Sequence, residues 1–172
     1  MGTAPPVRSH VDPQAFRQVL GHVPTTVTVV TAGTDEGPAG LVVGSFVSIS
    51  LRPALVGVFI DEASVSWPAI HRTGSFAVNV LAHDQQAVCA RFARSGGDKF
   101  AGLDHRLSPH GHPLLPGTTA WLDCEIEDVR KLGDHFFALA GVTDLGTSQG
   151  VLPMVFHRGA LHTIADGSAP GS

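Results

Sequence analysis

The order of apolar and polar positions predicts short strands joined by polar turns, with three short helices set between them. Asp12 followed by Pro13 marks a helix start, because proline at the first helical position lacks only an N–H that would have no intrahelical partner. Phe16, Val19 and Leu20 then fall on one stripe, and Gly21 ends the helix. Thr25–Thr31 (TTVTVVT) is almost purely β-branched, and the polar run Gly33–Pro38 separates it from a second strand over Ala39–Ser50. Ala54–Ile60 (ALVGVFI) is a continuous apolar run behind Pro53, too short for a helix and read as a well-buried third strand.

Ser64 or Ser66 is placed to cap a short helix through Trp67, Pro68 and Ile70 to Arg72, which stops at Thr73 and Gly74. Ser75–Leu81 (SFAVNVL) is a fourth strand. Asp84 caps a helix carrying Val88, Cys89 and Phe92, broken by Ser95, Gly96 and Gly97, and the chain is loop-rich from there to Gly117. Ala120, Leu122, Cys124 and Ile126 then alternate with Trp121, Asp123, Glu125 and Glu127, the period of a half-buried strand. Gly133 and Asp134 turn the chain into HFFALAGV, and a last strand runs through Met154–Ile164. About seven strands with three short helices predict a mainly β fold, a closed or nearly closed antiparallel barrel rather than a parallel βαβ sheet.

Composition narrows this. A length of 172 residues with 43% hydrophobic positions suits one domain, placed at residues 12–164, with an N-terminal tail over 1–11 and a flexible Gly/Ser/Ala/Pro tail over 165–172. A formal net charge of -4 supplies no basic footprint, so nucleic acid is not an expected partner. Met1–Pro6 holds no apolar core of a leader, and no later stretch has the apolar length of a membrane span, so a soluble cytoplasmic protein is expected. Cys89 and Cys124 lie far apart in segments of different character and read as buried apolar side chains. His105, His110 and His112 cluster, but with Gly111 and Pro113 among them and no helical or finger spacing they read as a polar surface loop, and no metal is expected.

There is no GxGxxG behind a strand, no GxxxxGK[ST] and no GxSxG elbow, so a nucleotide would have to be held by other means. The segment Gly40–Pro53 (GLVVGSFVSISLRP) is unusual for a strand, because Gly44, Ser45, Ser48 and Ser50 interrupt an apolar background. Glycine permits close backbone approach, and hydroxyls with free amides can bind a heteroaromatic edge or a phosphate. A bulged edge strand with ordinary turn serines accounts for the same residues, and the pattern leaves both readings open.

PTTVTVVTAG, GLVVGSFVSISLRPALVGVFID, SWPAI, GSFAVNVLA, RFA with GGDKFAG, PLLPG with AWLDCEIEDV, and GDHFFALAGV resemble, in the same order, the flavin reductase-like FMN-binding split-barrel family. The resemblance spans about Phe16–Leu161 and implies an antiparallel split β-barrel of Greek-key type with flanking helices. It further implies a homodimer with flavin in a groove near the interface, an enzyme that reduces FMN or FAD with NADH or NADPH, and a partner monooxygenase that consumes the reduced flavin. Position by position, Val42, Val43, Gly44, Ser45, Phe46, Val47 and Ser48 match the stretch that passes under and beside the isoalloxazine, with Ser45 and Ser48 as its polar contacts. Ser64 and Ser66 match positions near the flavin phosphate or ribityl chain, Asn79 matches an asparagine of the family's fourth strand, and Lys99 matches a basic residue that would counter the phosphate. A solvated loop lysine is the alternative for Lys99. His135 matches a histidine that faces the nicotinamide and is the implied catalytic residue, although by itself a lone histidine opening a strand is usually structural.

The sequence also departs from the family. Where members commonly carry a Thr-Ala-Ser-Ser-Phe-Thr-Ser stretch, this chain has Val42, Val43, Gly44, Ser45, Phe46, Val47 and Ser48, and Thr26 stands where glycine is common. Fewer hydroxyls weaken side-chain hydrogen bonding to a ring edge but leave backbone bonding intact. Besides a flavin reductase, a flavoprotein with tightly bound flavin acting on an organic substrate, or a non-catalytic flavin-binding module, fits these residues.

Overall fold

The structure, a computed structural model, describes residues 11–164; the C-terminal tail expected over 165–172, and all but Val11 of the N-terminal one, lie outside the described residues. Helix α1 (Pro13–Leu20) is followed by β1 (Thr25–Thr26), β2 (Thr28–Thr34), β3 (Gly37–Val43), β4 (Val47–Leu51) and β5 (Ala54–Asp61). After α2 (Trp67–Thr73) come β6 (Ser75–Val80), α3 (Gln86–Ala93) and the two-residue strands β7 (Arg106–Leu107) and β8 (Pro113–Leu114). The long strands β9 (Ala120–Leu132) and β10 (His135–Thr147) precede a closing hairpin, β11 (Met154–His157) and β12 (Ala160–Thr163).

Seven strands form one antiparallel sheet in the order β3-β2-β6-β9-β10-β5-β4. Its two edges, β3 and β4, are consecutive in the chain, so the sheet must curl until three residues, Gly44–Phe46, span the gap. The expected single strand over Ala39–Ser50 is therefore two strands on opposite edges. The expected strand over Thr25–Thr31 is also divided, because β1 pairs with β11 while β2 joins the main sheet. The expected last strand is the β11–β12 hairpin.

Curling turns one sheet face inward. Leu41, Val43, Val56, Val58, Ile60 and Phe76 pack there, and Trp67 and Ile70 of α2 plug the end. The Ala54–Ile60 run is not uniformly buried: Val56, Val58 and Ile60 point in, whereas Phe59 points out and is 38% exposed. A second apolar cluster covers the outer face of β2 and β6, where Val29 meets Phe92 of α3, Phe100, Leu115 and Met154. Gly40 makes this possible, since a Cβ there would lie 2.6 Å from the Phe92 ring. Gln85, not the expected Asp84, occupies the cap position before α3, and its amide oxygen accepts from the Ala82 N–H at 2.9 Å.

The alternation in β9 reads as expected, yet Asp123 on its polar side is fully buried, because the strap of residues 105–117 lies over it. Buried polar groups fasten that strap. Asn79 donates to the carbonyls of Val29 and Pro113, both at 3.3 Å, and to the Thr31 hydroxyl at 3.1 Å, while its oxygen accepts from the Leu115 N–H at 2.8 Å. His112 is buried, in contrast to the expected surface loop. Its Nδ1 accepts from the Gly33 N–H at 3.2 Å, which leaves Nε2–H to donate to Ser75 at 2.8 Å. His110 pairs through Nδ1 with Asp123 at 2.9 Å and sits 3.4 Å from Glu125. Among the described residues no three His, Cys, Asp or Glu side chains converge on a metal position, and no helix is long and apolar enough to cross a membrane. Both thiols are buried, and burial pushes Cys124 up to about 12 and Cys89 above its ordinary value.

Asn79→Ala should lower the unfolding free energy by about 3 kcal/mol, because it strands the Leu115 N–H and opens a small cavity; urea unfolding measures this. The two strap histidines should titrate in opposite directions from 6.5. The hydrogen bond to Asp123 raises His110 and burial lowers His112. The stability that His110 contributes is thus complete below pH 6.5 and lost as pH rises through its raised folded value. That of His112 is complete above pH 6.5 and lost as pH falls through its lowered one. Imidazole resonances followed by NMR across this range test both signs.

Candidate functional site

The closure of the sheet decides where a ligand can lie. The Ser45 hydroxyl donates to the Phe59 carbonyl at 2.9 Å and accepts from the Phe59 N–H at 3.0 Å. A side chain thereby takes the place of a strand partner where β4 has ended, and β3 is held beside the end of β5. A groove of about 360 Å³ runs along this junction, between Leu41 and Val42 of β3, Phe59–Asp61 of β5, the Ala63–Ser66 turn and the end of α3 at Phe92–Ser95, with Lys99 as its floor.

Lys99 is the electrostatic centre of the groove. The residue is 9% exposed, and its ammonium donates to the carbonyls of Gly40 at 3.0 Å and Phe92 at 3.1 Å, and to the Ser66 hydroxyl at 3.4 Å. One cation thus ties β3, the C-terminal turn of α3 and the start of α2, and burial lowers its pKa from the ordinary lysine value. Among the described residues no carboxylate pairs with Lys99 or with Arg94, which lines the same end. Ser64 accepts from the Trp67 N–H at 3.3 Å and so fixes the turn into α2. The opposite wall is apolar, with Val42 and Phe59. Phe59 is supported from β10 by the Phe137 ring, 4.9 Å away between centroids, and Gly57 gives that ring room.

Val42, Ser64, Ser66 and Lys99 are therefore brought together in one groove. The other expected contacts are distributed differently. Val43 and Phe46 turn into the barrel core, and Ser45 spends its hydroxyl on closing the sheet. Gly44, Val47 and Ser48 lie on the surface beside the closure. Asn79 is fully buried under the strap, outside the groove, with both ends of its amide used. His135 opens β10 in register with Asp61, which lines the groove, so it stands one strand away from the groove wall. It is half-exposed, with Nδ1 2.7 Å from the Asp134 carboxylate, and it holds that carboxyl below the usual carboxylate range. Phe59, Asp61 and Arg94 are wall residues that the sequence reading missed. An outward Phe59 follows only if the ALVGVFI run is read as alternating.

A second cavity of about 380 Å³ lies between Gly33–Glu36, Arg72, Thr73, Ser75, His110 and His112. Its walls offer no flat apolar surface, and its charges answer one another: Arg72 lies 3.9 Å from Glu36 and His110 is held by Asp123. The groove at Lys99 is the better ligand site because it joins an apolar wall to uncompensated positive charge.

A family model described as the flavin reductase like domain matches residues 20–165. The chain is 47% identical over 154 residues to a flavin reductase of Pseudomonas putida, covering 89% of this chain and 91% of that protein. It is 45% identical over 149 residues to HsaB, the reductase subunit of a flavin-dependent monooxygenase of Rhodococcus jostii, covering 87% and 76%. In three dimensions it resembles a nitrilotriacetate monooxygenase component B homologue from Mycobacterium thermoresistibile, with a TM-score of 0.87 and 38% identity over 92% of this chain and 90% of that one.

Ser45→Ala should cost about 1–2 kcal/mol of stability, because it leaves the Phe59 N–H and carbonyl unpaired at the closure. Ser48→Ala, which breaks no such pair, should be neutral. Equal unfolding midpoints for the two variants would contradict the closure role of Ser45.

Proposed function

The chain belongs to the flavin reductase like domain family, and on that premise we propose that it transfers hydride from NADH or NADPH to FMN or FAD and passes the reduced flavin to a partner monooxygenase. The observation that carries this reading is the groove itself, an apolar wall at Val42 and Phe59 facing a buried, acid-free Lys99. The fit to flavin is good on two counts. A planar ring needs the flat apolar wall, and a phosphate needs the cation-rich end formed by Lys99, Arg94, Ser64 and Ser66.

Flavin bound here supplies the hydride acceptor. The protein's own residues orient and shield. Arg94 would hold the phosphate end of a bound flavin, with the Lys99 charge behind it. Val42 and Phe59 would shield a ring bound in the groove from water, and exclusion of water strengthens polar contacts there. His135 positions the nicotinamide: its Nδ1 is held by Asp134, which leaves Nε2 for the carboxamide. No proton leaves His135 in this role.

The site belongs to a homodimer. Val47, Ile49 and Leu51 on β4 are 40%, 47% and 87% exposed and, with Phe59, offer an apolar surface for a partner to cover. A second copy is the occupant that the family resemblance implies, and sedimentation velocity at micromolar concentration should give a dimer. Buried thiols, together with dependence on nicotinamide cofactor, fit a cytoplasmic setting.

His135→Ala tests the mechanism. Flavin affinity should be unchanged, while kcat/KM for the nicotinamide cofactor falls roughly tenfold to a hundredfold, the loss of one hydrogen bond and some stacking. Stopped-flow reduction of bound flavin by excess NADH and NADPH reads both quantities. Unaltered kinetics would make His135 structural.

A further inference from the structure

A row of side chains runs from the groove wall across the outer face of three adjacent strands. On β10, Phe137 is paired with Phe59 of β5 on one side and with Arg130 of β9 on the other. Two residues earlier, His135 lies between Asp61 and Leu132. Residues two apart on a strand share a face, so His135 and Arg130 stand on the side of the sheet that Phe59 and Phe137 occupy. The residues between them take the other side, where Ile60 lies in the barrel core and Phe136 packs against it. The same alternation separates the two consecutive cations of β9. Lys131 is opposite Phe136, and its ammonium is already answered by the Glu62 carboxylate at 2.5 Å. Arg130 is the cation on the face of His135, and as its diagonal cross-strand neighbour it lies about 7–8 Å away between backbones.

The Arg130 side chain is 72% exposed, and its Nε donates to the Asp128 carboxylate at 2.6 Å. That bond aims the guanidinium and leaves both Nη groups without a hydrogen-bond partner among the described residues. An exposed pair of this kind is weak, so Asp128 steadies the arginine more than it cancels it. A nicotinamide nucleotide carries its first phosphate one ribose away from the ring. With the carboxamide at His135, that phosphate reaches the diagonal position. We infer that Arg130 binds the phosphate nearest the nicotinamide through its two free Nη groups, and so directs the cofactor out of the flavin groove across β10 and β9. A guanidinium suits this task because its planar fork meets two phosphate oxygens at once. The inference rests on the placement of nicotinamide at His135 in the proposed function. It makes Arg130 serve NADH and NADPH alike, since both carry that phosphate, and leaves the flavin phosphate to Arg94.

The test uses three reductants that share the dihydronicotinamide ring and carry no, one and two phosphates: 1-benzyl-1,4-dihydronicotinamide, reduced nicotinamide mononucleotide and NADH. Each is oxidised at saturating FMN by the full chain and by its Arg130→Gln and Arg130→Lys variants. Arg130→Gln should raise KM for the mononucleotide and for NADH roughly tenfold with kcat little changed, and leave kcat/KM for the benzyl compound as it was. Arg130→Lys keeps the charge without the fork and should recover part of the loss. FMN affinity, read by fluorescence quenching, should be the same in all three proteins. Unaltered KM for both phosphorylated reductants overturns the inference, as does a loss confined to NADH, which would move the contact to the second phosphate. An equal loss with the benzyl compound, or weakened FMN binding, also overturns it, because Arg130 then acts on the fold or on flavin. His135→Ala in the same series separates the premise from the inference. If it oxidises all three reductants as the wild type does, the placement of nicotinamide falls; if it slows all three while Arg130→Gln changes none, the inference alone falls.

Discussion

Two hydrogen bonds from one hydroxyl close this fold. The seven-stranded sheet begins and ends on strands that follow one another in the chain, so its curvature is set by how tightly Gly44–Phe46 can join them. Ser45 answers by bonding both backbone groups of Phe59, as a strand residue would. Once that junction is fixed, Leu41 and Val42 lie beside Phe59, Ile60 and Asp61, and the groove between them exists. The inward face of the same strands becomes the barrel core. Closure, core and groove are three consequences of one short connection.

Charge then gives the groove a direction. A buried ammonium without an acid partner is costly to bury, and Lys99 is tolerated because two carbonyls and a hydroxyl surround it. The C-terminal carbonyl of Phe92 adds the favourable end of the α3 dipole. The result is a positive end that the molecule itself does not neutralise, opposite an apolar wall. In the other large cavity the opposite holds, since His110 and Arg72 each have an acid beside them and the polar groups are spent on fastening the strap.

The strand-rich architecture was legible because β-branched runs and a clean period of two dominate the sequence, as in Thr28–Val30 and Leu122–Ile126. The split of Ala39–Ser50 was not, because an apolar run with glycine and serines reads the same in one bulged strand as in two strands at opposite edges. The family resemblance points to Ser64, Ser66, Val42 and Lys99 as candidate site residues, and the four line one groove. Ser45 and Asn79 carry the same motif pattern but have their polar atoms taken up by the fold, which depends on long-range partners, Phe59 and Leu115, that local pattern cannot supply. Arg94 escaped notice because a cation at a helix end is ordinary. Only its neighbourhood with Lys99 gives it meaning.

Flavin is proposed to lie at the Lys99 groove and not at the cavity beside His110. Titration of uniformly ¹⁵N-labelled protein with FMN, followed through amide shifts, tests it directly. The perturbed amides should cluster at Leu41–Phe46, Ser64–Ser66 and Arg94–Lys99, while those of Gly33–Glu36 and His110–His112 stay in place. A cluster at Gly33–Glu36 and His110–His112, with the Lys99 groove silent, would contradict it.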